Sequence, residues 1–549
     1  MARFTKIGRD DDAVPDGTAP QPMSAAPAGT KRARGAKAAS LAPPASTAQR
    51  LGGVIKSARD IMRKDKGLNG DMDRLPMLTW MLFLKFLDDR ERGLEEEAAM
   101  SGSTYTPVLQ PPYRWRDWAD QMVGLTGPDL IRFIENDEAD LPDGSRGPGL
   151  FAYLRNLRGS DGRDRRDVIA SVFRGTRNRM ESGYLLRDVV NRINDIDFQS
   201  SDGSHTLGHL YESMLREMRD AAGDGGEFYT PRAVVKFMVE VVHPDSAAAE
   251  TVLDPACGTG GFLVAAYEHM WSTAERAGVE AVRRLQTATI FGNEAKSLPY
   301  MLAQMNLLLH GIDEPRITIG NSLNVRLGEI GEKDRVDVIL TNPPFGGEEE
   351  RGILDNFPFD KRTAETALLF LQLIMAKLKR PPRKGRAAVV VPNGTLFATG
   401  VAARIKQELL EQFNLHTGVR LPNGLFAPYT GIPTNILFFD RSGPTREVWF
   451  YEQPLPEGRK NYSKTQPIQF DEFAPCIAWW NDRQENERAW RVPVERIAAS
   501  GYNLDLKNPN APQGLEHLPP LELVASIRAK EHEILSLLEE IEAALGAGT

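Results

Sequence analysis

Asn342-Pro343-Pro344-Phe345 closes the apolar run Val336-Asp337-Val338-Ile339-Leu340-Thr341, and its residue types suit the activation of a conjugated amine. The exocyclic amine of a nucleobase is a poor nucleophile because its lone pair is delocalised into the ring. A catalyst must accept both N–H protons in hydrogen bonds and draw the nitrogen out of conjugation. The Asn342 side-chain oxygen can take one N–H and the Pro343 carbonyl the other, since proline fixes its own φ and brings no donor. Phe345 offers a face for the base, and such stacking is worth about 1–3 kcal/mol per base, enough to hold a nucleotide that has left its duplex. Asn342, Pro343, Pro344 and Phe345 are therefore the candidate catalytic residues. On its own the tetrapeptide also fits a plain turn after a strand, so its setting decides.

That setting includes a glycine-rich turn upstream, Thr251-Val252-Leu253-Asp254-Pro255-Ala256-Cys257-Gly258-Thr259-Gly260-Gly261-Phe262, in which a short apolar strand runs into glycines and then into a helix over Leu263–Met270. The glycines permit positive φ and close backbone approach, and the helix offers its first N–H groups. The spacing is not that of a Gly-x-Gly-x-x-Gly dinucleotide site, and no P-loop lysine follows. Asp254 at the head of the turn suits a ligand with a cationic amino group, such as the methionine part of S-adenosylmethionine. The next apolar strand, Ala288-Thr289-Ile290-Phe291, leads to Gly292-Asn293-Glu294, a carboxylate where acids bind ribose hydroxyls. A further strand, Arg316–Ile319, ends at Gly320-Asn321-Ser322; Asn321 fits a cofactor contact and an ordinary surface turn equally well.

Taken with Glu227-Phe228-Tyr229-Thr230-Pro231-Arg232 ahead of the glycine turn, these motifs and their order resemble those of the DNA methylation (modification) subunits of type I restriction-modification systems, which are adenine-N6 methyltransferases. The resemblance implies an α/β fold: a Rossmann-like S-adenosylmethionine-dependent methyltransferase core with a helical N-terminal domain and a C-terminal helical segment. It implies S-adenosylmethionine as cofactor, held by Glu227, Phe228, Tyr229, Thr230, Pro231, Arg232, Asp254, Gly258, Thr259, Gly260, Phe262, Glu294 and Asn321. Local physics gives Thr230 and Pro231 another reading, as the N-cap and first residue of a helix. The partners implied are double-stranded DNA, a specificity subunit shared by two methylation subunits, and a restriction subunit.

The remaining segments fit that organisation. Residues 1–47, rich in Ala, Pro, Gly, Ser and Thr, predict a disordered tail, and its basic cluster Lys31–Lys37 reads as solvated. Residues 48–205 carry long helical periods and predict a helical domain, whose Leu75–Leu87 stripe is too short to span a bilayer and reads as core. Trp115, Trp118 and the arginines between Arg155 and Arg179 are compatible with a face for DNA or a partner subunit. Residues 206–500 form the expected catalytic domain. Within it a helix over Glu365–Leu378, a strand over Gly385–Pro392, a helix over Val401–Phe413 and a strand over Thr434–Phe439 predict a parallel, doubly wound sheet with an antiparallel strand or two near one edge. Residues 501–549 form a C-terminal helical segment with heptad spacing at Val524, Ile527, Ile534, Leu538, Ile541 and Leu545, suited to a partner helix.

Charge and composition narrow the classes. With a net charge of -8 the chain as a whole is repelled by DNA, so binding needs a local basic face or another subunit. No apolar run of membrane-spanning length and no signal-peptide core occur, which predicts a cytoplasmic protein. Two cysteines, Cys257 and Cys476, make neither a disulfide framework nor a zinc site, and no metal site is expected. The Pro475-Cys476 pair resembles the nucleophile of cytosine-C5 methyltransferases but lies too far downstream, so Cys476 reads as a packed small residue. A solitary adenine methyltransferase, a methyltransferase acting on protein glutamine or RNA, and an inactive scaffold stand as the alternatives.

Overall fold

In the computed structural model the described residues are 47–121, 124–159, 165–196, 198, 230–312, 314–426, 430–463 and 466–510, with scattered positions between 528 and 538. The expected tail, the domain boundary near 206, and Glu227, Phe228 and Tyr229 lie outside them, as do Val524, Ile527, Ile541 and Leu545 of the heptad. Ile534 and Leu538 are helical and exposed.

Helices fill the first part of the chain. The largest are Thr47–Met62, the 30-residue Asp71–Met100, Gly127–Glu135, Arg165–Arg174 and Gly183–Asn194. Their shared core is aromatic: Trp80, Phe83, Trp115, Trp118, Phe133, Phe151 and Phe173 are all fully buried, and Trp80 meets Phe151 edge to face at 5.1 Å. The Leu75–Leu87 stripe is buried as expected, and even Lys85 is taken inside by a 2.6 Å ion pair with Asp89. Trp115 and Trp118 correct the sequence reading. They are 1% exposed and meet edge to face at 5.0 Å, so they build the core and present nothing to a partner. Among the basic stretch, Arg174, Arg177 and Arg179 are exposed, and Arg179 pairs with Asp73. A two-residue ladder, β1 (Ala139–Asp140) with β2 (Arg146–Gly147), is the only sheet of this layer among the described residues.

The second part is one nine-stranded sheet. Its strands are β3 (Val252–Asp254), β4 (Ile290–Glu294), β5 (Arg316–Ile319), β6 (Val338–Thr341), β7 (Arg386–Pro392), β8 (Asn414–Arg420), β9 (Thr434–Asp440), β10 (Glu447–Glu452) and β11 (Ala489–Pro493), in the order β11-β10-β8-β9-β7-β6-β3-β4-β5. β3 pairs in parallel with β4 on one side and β6 on the other, so the winding reverses at β3 and opens a crevice at the carboxyl ends of these strands. The strands there are continuous apolar runs because helices cover both faces of the sheet.

Two expectations shift. The antiparallel strands are not confined to an edge: β11 is at one, but β9 is inserted between β7 and β8, antiparallel to both and buried along six of its seven residues. The strand expected from Ala288 begins at Ile290 and runs on to Glu294. Leu285–Thr289 instead makes a π-turn, in which the Thr287 and Thr289 hydroxyls donate to the Arg283 and Arg284 carbonyls.

The helical layer docks on the helix Ser297–Leu309, between β4 and β5. Leu75 packs on Leu302, Arg90 Nη1 donates to the Leu308 carbonyl at 2.7 Å, and the Ser171 and Tyr300 hydroxyls bond at 2.6 Å. Leu302→Ala opens a cavity at this junction and is expected to cost about 2–5 kcal/mol, read as a lowered thermal midpoint in scanning calorimetry.

Candidate active site

The glycine turn is built as its residue types require. Gly258 and Gly260 have φ of 53° and 79°, and a Cβ on Gly260 would lie 3.1 Å from Leu307 Cδ1. Gly260 N–H donates to the Cys257 carbonyl at 2.7 Å and Cys257 N–H to the Asn293 carbonyl at 2.9 Å, so the turn leans on the end of β4. The helix Gly261–Ala277 follows. Thr259 is buried, and its carbonyl accepts from Asn306 Nδ2 at 3.0 Å. Phe262 departs from its expected role. It is 3% exposed and packs into the main core, in the first turn of the helix after the glycines.

Two carboxylates flank the turn. Asp254, at the end of β3, is fully buried; its Oδ1 accepts from Thr341 Oγ1 at 2.7 Å and from Ala256 N–H at 3.1 Å. Burial, helped by the charge of Glu294, pushes its pKa up to about 7. Glu294, at the end of β4, accepts from Gly258 N–H at 2.9 Å through Oε2 and from Lys296 N–H at 2.8 Å through Oε1. Burial raises its pKa too, against the pull of those backbone donors. The same burial and the two carboxylates push the Cys257 thiol up, which leaves it an inert packed residue.

From Glu294 a cavity of about 280 Å³ extends past Ala256 and Asn321 to Pro344, Glu349 and Phe370. It joins the carboxyl ends of β4 and β5 to the loop after β6. Asn321 lines it while also serving the local turn, its Oδ1 accepting from Leu323 N–H at 2.9 Å and its Nδ2 donating to Glu349 Oε2 at 3.1 Å. The surface-turn reading of Asn321 is met by these bonds, and its side chain also borders the cavity.

Asn342 follows Thr341 at the end of β6. Its Nδ2 donates to Thr230 Oγ1 at 3.0 Å, and its Oδ1 is buried without a hydrogen-bond partner among the described residues. Pro343 is buried, Pro344 lines the cavity, and half-buried Phe345 meets Phe426 edge to face at 5.7 Å. The capping expected of Thr230 does not occur. The helix starts at Arg232 with Pro231 in the N-cap position and no side-chain cap, because the Thr230 hydroxyl is taken by Asn342. Arg232 Nη1 lies 3.5 Å from the Gly261 carbonyl, at the start of the helix after the glycine turn.

The structure thus brings together Asp254, Gly258, Glu294, Asn321, Asn342 and Thr230 around one crevice. Sequence reasoning missed Thr341, Ser322, whose hydroxyl donates to the Pro255 carbonyl at 2.6 Å, and Phe426. Only Thr341 carries a signal, as a hydroxyl ending an otherwise apolar strand.

A carboxylate-flanked glycine turn facing a strand-end Asn-Pro-Pro-Phe loop defines an α/β methyltransferase site. Residues 202–517 match the N-6 DNA methylase family and residues 51–193 the HsdM N-terminal domain. The chain is 47% identical over 506 residues to the EcoEI methylase subunit of a type I restriction enzyme from Escherichia coli, spanning 90% of this chain and 98% of that one. It is 30% identical over 402 residues to the StySPI methylase subunit of Salmonella potsdam, spanning 67% and 74%. Among solved structures, one described as a type I modification subunit from Vibrio vulnificus YJ016 superposes with TM-score 0.80 at 62% identity, covering 87% of this chain and 100% of that chain. A chain from a study of assembly and conformational transition in a type I R-M system gives TM-score 0.70 at 42% identity, covering 92% and 99%. The chain belongs to the N-6 DNA methylases and, within them, to the methylase subunits of type I restriction enzymes. Among the described residues no helix is long and apolar enough to cross a membrane.

The raised Asp254 pKa carries a stability cost with a defined sign. Between its ordinary 3.8 and about 7 the folded protein keeps a proton that the unfolded chain has released, so this group's contribution to stability falls as pH rises through that window and levels off above it. Asp254→Asn keeps an oxygen for Thr341 and Ala256 and removes the cost. Thermal melts are expected to show the variant stabilised over the parent by about 1–4 kcal/mol near pH 8, with the gain vanishing toward pH 4.

Proposed function

We propose that the protein transfers a methyl group from S-adenosylmethionine to the N6 amine of an adenine flipped out of double-stranded DNA, as the modification subunit of a type I complex. The observation that carries this reading is the buried Asn342 Oδ1, unpartnered among the described residues, two residues before a proline that lines the cavity.

The residues present fit the cofactor. S-adenosylmethionine, when bound, supplies an electrophilic methyl group on a sulfonium sulfur. Asp254 would hold its amino group, and the cationic partner would favour the ionised carboxylate that burial alone disfavours. Glu294 would hold the ribose hydroxyls: each of its oxygens accepts one backbone N–H and keeps a lone pair for a second donor. Gly258 and Gly260 let the backbone approach, and Asn321 lines the cavity together with Glu294. Asn342 Oδ1 and the Pro343 carbonyl accept the two N–H protons of the adenine amine and draw its nitrogen out of conjugation, while Phe345 stacks on the base. Neither oxygen is basic enough to keep a proton, so both act as acceptors and orienters and not as general bases.

The overall charge of -8 leaves DNA affinity to a local basic face or a companion chain, and the second fits a specificity subunit that binds DNA and selects the adenine. Two methylation subunits on one specificity subunit, joined by a restriction subunit, complete the proposed assembly.

Asn342→Ala and Phe345→Ala are each expected to lower methyl transfer by about 10²-fold or more while S-adenosylmethionine binding by calorimetry persists; retained transfer overturns the roles. Single-molecule sequencing for N6-methyladenine in cells carrying this gene, with and without a neighbouring specificity-type gene, tests the assembly. Methylation at a bipartite site only with the neighbour is the expected result, methylation by this chain alone points to a solitary enzyme, and none in either case points to another substrate.

A further inference from the structure

We infer that Thr230 is a positioning residue for methyl transfer: its hydroxyl oxygen holds the Asn342 amide so that Oδ1 is turned out as a vacant acceptor. The inference rests on the function proposed above and concerns how one side chain is kept ready for it.

An asparagine amide has a donor end and an acceptor end, and rotation by half a turn exchanges them. Only Oδ1 can accept an amine N–H. In this site the donor end is spent on Thr230 Oγ1 at 3.0 Å, across 112 positions of sequence. The acceptor end is kept vacant by the residues that follow. Asparagine in a turn ordinarily bonds its own side-chain oxygen to the backbone N–H two residues on. Here the next two residues are Pro343 and Pro344, and neither has an N–H to give. The result is a buried amide oxygen without a partner among the described residues, a state that ordinarily costs a structure enough to be avoided.

The position of Thr230 is itself held from two sides. Pro231 accepts the N–H groups of Val234 and Val235 through its carbonyl, which starts the helix without the threonine hydroxyl. Arg232 reaches the Gly261 carbonyl at 3.5 Å, which registers the segment against the helix that follows the glycine turn. The Thr230 hydroxyl is thereby held where it meets the Asn342 amide.

The test uses the full chain in complex with its specificity subunit, with steady-state transfer of labelled methyl from S-adenosylmethionine to duplex DNA. Thr230→Val, which keeps the shape and removes the acceptor, is expected to lower kcat about ten-fold with KM for S-adenosylmethionine changed by less than about two-fold. Thr230→Ser, which restores the hydroxyl, is expected to recover most of kcat. An unchanged kcat in Thr230→Val overturns the inference, and so does a raised KM for S-adenosylmethionine at constant kcat, which would return Thr230 to the cofactor. Failure of Ser to rescue overturns it as well. Should the valine variant melt early, Thr230→Ala is assayed at a temperature where its calorimetric binding of S-adenosylmethionine matches the parent, with the same outcomes decisive. Asn342→Ala in parallel separates the two readings: lost transfer there with normal Thr230→Val kinetics sinks only the positioning role, whereas retained transfer there sinks both.

Discussion

Two carboxylates buried at the carboxyl ends of adjacent parallel strands constrain everything else in this site. An isolated ionised carboxylate is expensive to bury, so the surrounding chain must supply donors in fixed places. Glu294 takes its donors from the backbone of the glycine turn and of the residue opening the next helix; Asp254 takes one from its own turn and one from Thr341 on the neighbouring strand. The turn cannot move without stranding Glu294, and β6 cannot slip against β3 without stranding Asp254. Rigidity of the crevice is thus a by-product of satisfying its charges. Glycine at 292 belongs to the same constraint, since a Cβ there would meet Leu263 Cδ1 at 2.8 Å and Cys257 Sγ at 3.1 Å and push the turn off β4.

The chain leaves β6 through two consecutive residues that reach opposite halves of the site. Thr341 Oγ1 donates to Asp254 on the glycine-turn side, and Asn342 Nδ2 donates to Thr230 on the other. Thr341 is the last residue of β6 and Asn342 the first beyond it, so the divergence arises where the chain leaves the strand. It fixes the tetrapeptide loop relative to the cofactor turn with two hydrogen bonds, and it explains why Thr341, though only a hydroxyl at the end of an apolar run, matters as much to the geometry as its neighbour.

Much of this was legible in the sequence, for one reason: strands beside a topological switch are short apolar runs that stop at polar residues, so β3, β5 and β6 and the residues at their ends announced themselves. What stayed hidden depended on partners distant in sequence. Thr230-Pro231 has the local signature of a helix start, and nothing near it in the chain reveals a hydroxyl drawn away by Asn342. Phe262 follows the glycines like a ligand residue, but the side its helix buries is set by the sheet beneath. Trp115 and Trp118 were compatible with a face for DNA or a partner subunit, and packing instead put them in the core. The insertion of β9 was invisible because a buried antiparallel strand and a buried parallel one are the same apolar run. β4 was offset because two threonines turned their hydroxyls back on the preceding helix and delayed the strand.

The helical layer bears on the site through a single element. The helix Ser297–Leu309 receives Leu75, Arg90 and Ser171 on one side, and on the other Asn306 holds the Thr259 carbonyl inside the glycine turn while Gln304 joins Tyr300 to the β5 side of the sheet, 3.0 Å from its hydroxyl and 3.5 Å from the Ile317 carbonyl. Tyr300 and Ser171 share a hydrogen bond, so the layer and the sheet are tied by polar contacts as well as by apolar packing. A turn of glycines has little side-chain bulk of its own to hold it, and its shape is imposed from outside. Here the outside is Glu294 on one flank and Asn306 on the other, and the helix carrying Asn306 is clamped by the helical layer. The N-terminal helices therefore do more than add a docking domain: they press on the helix that keeps the glycine turn in the form a cofactor needs.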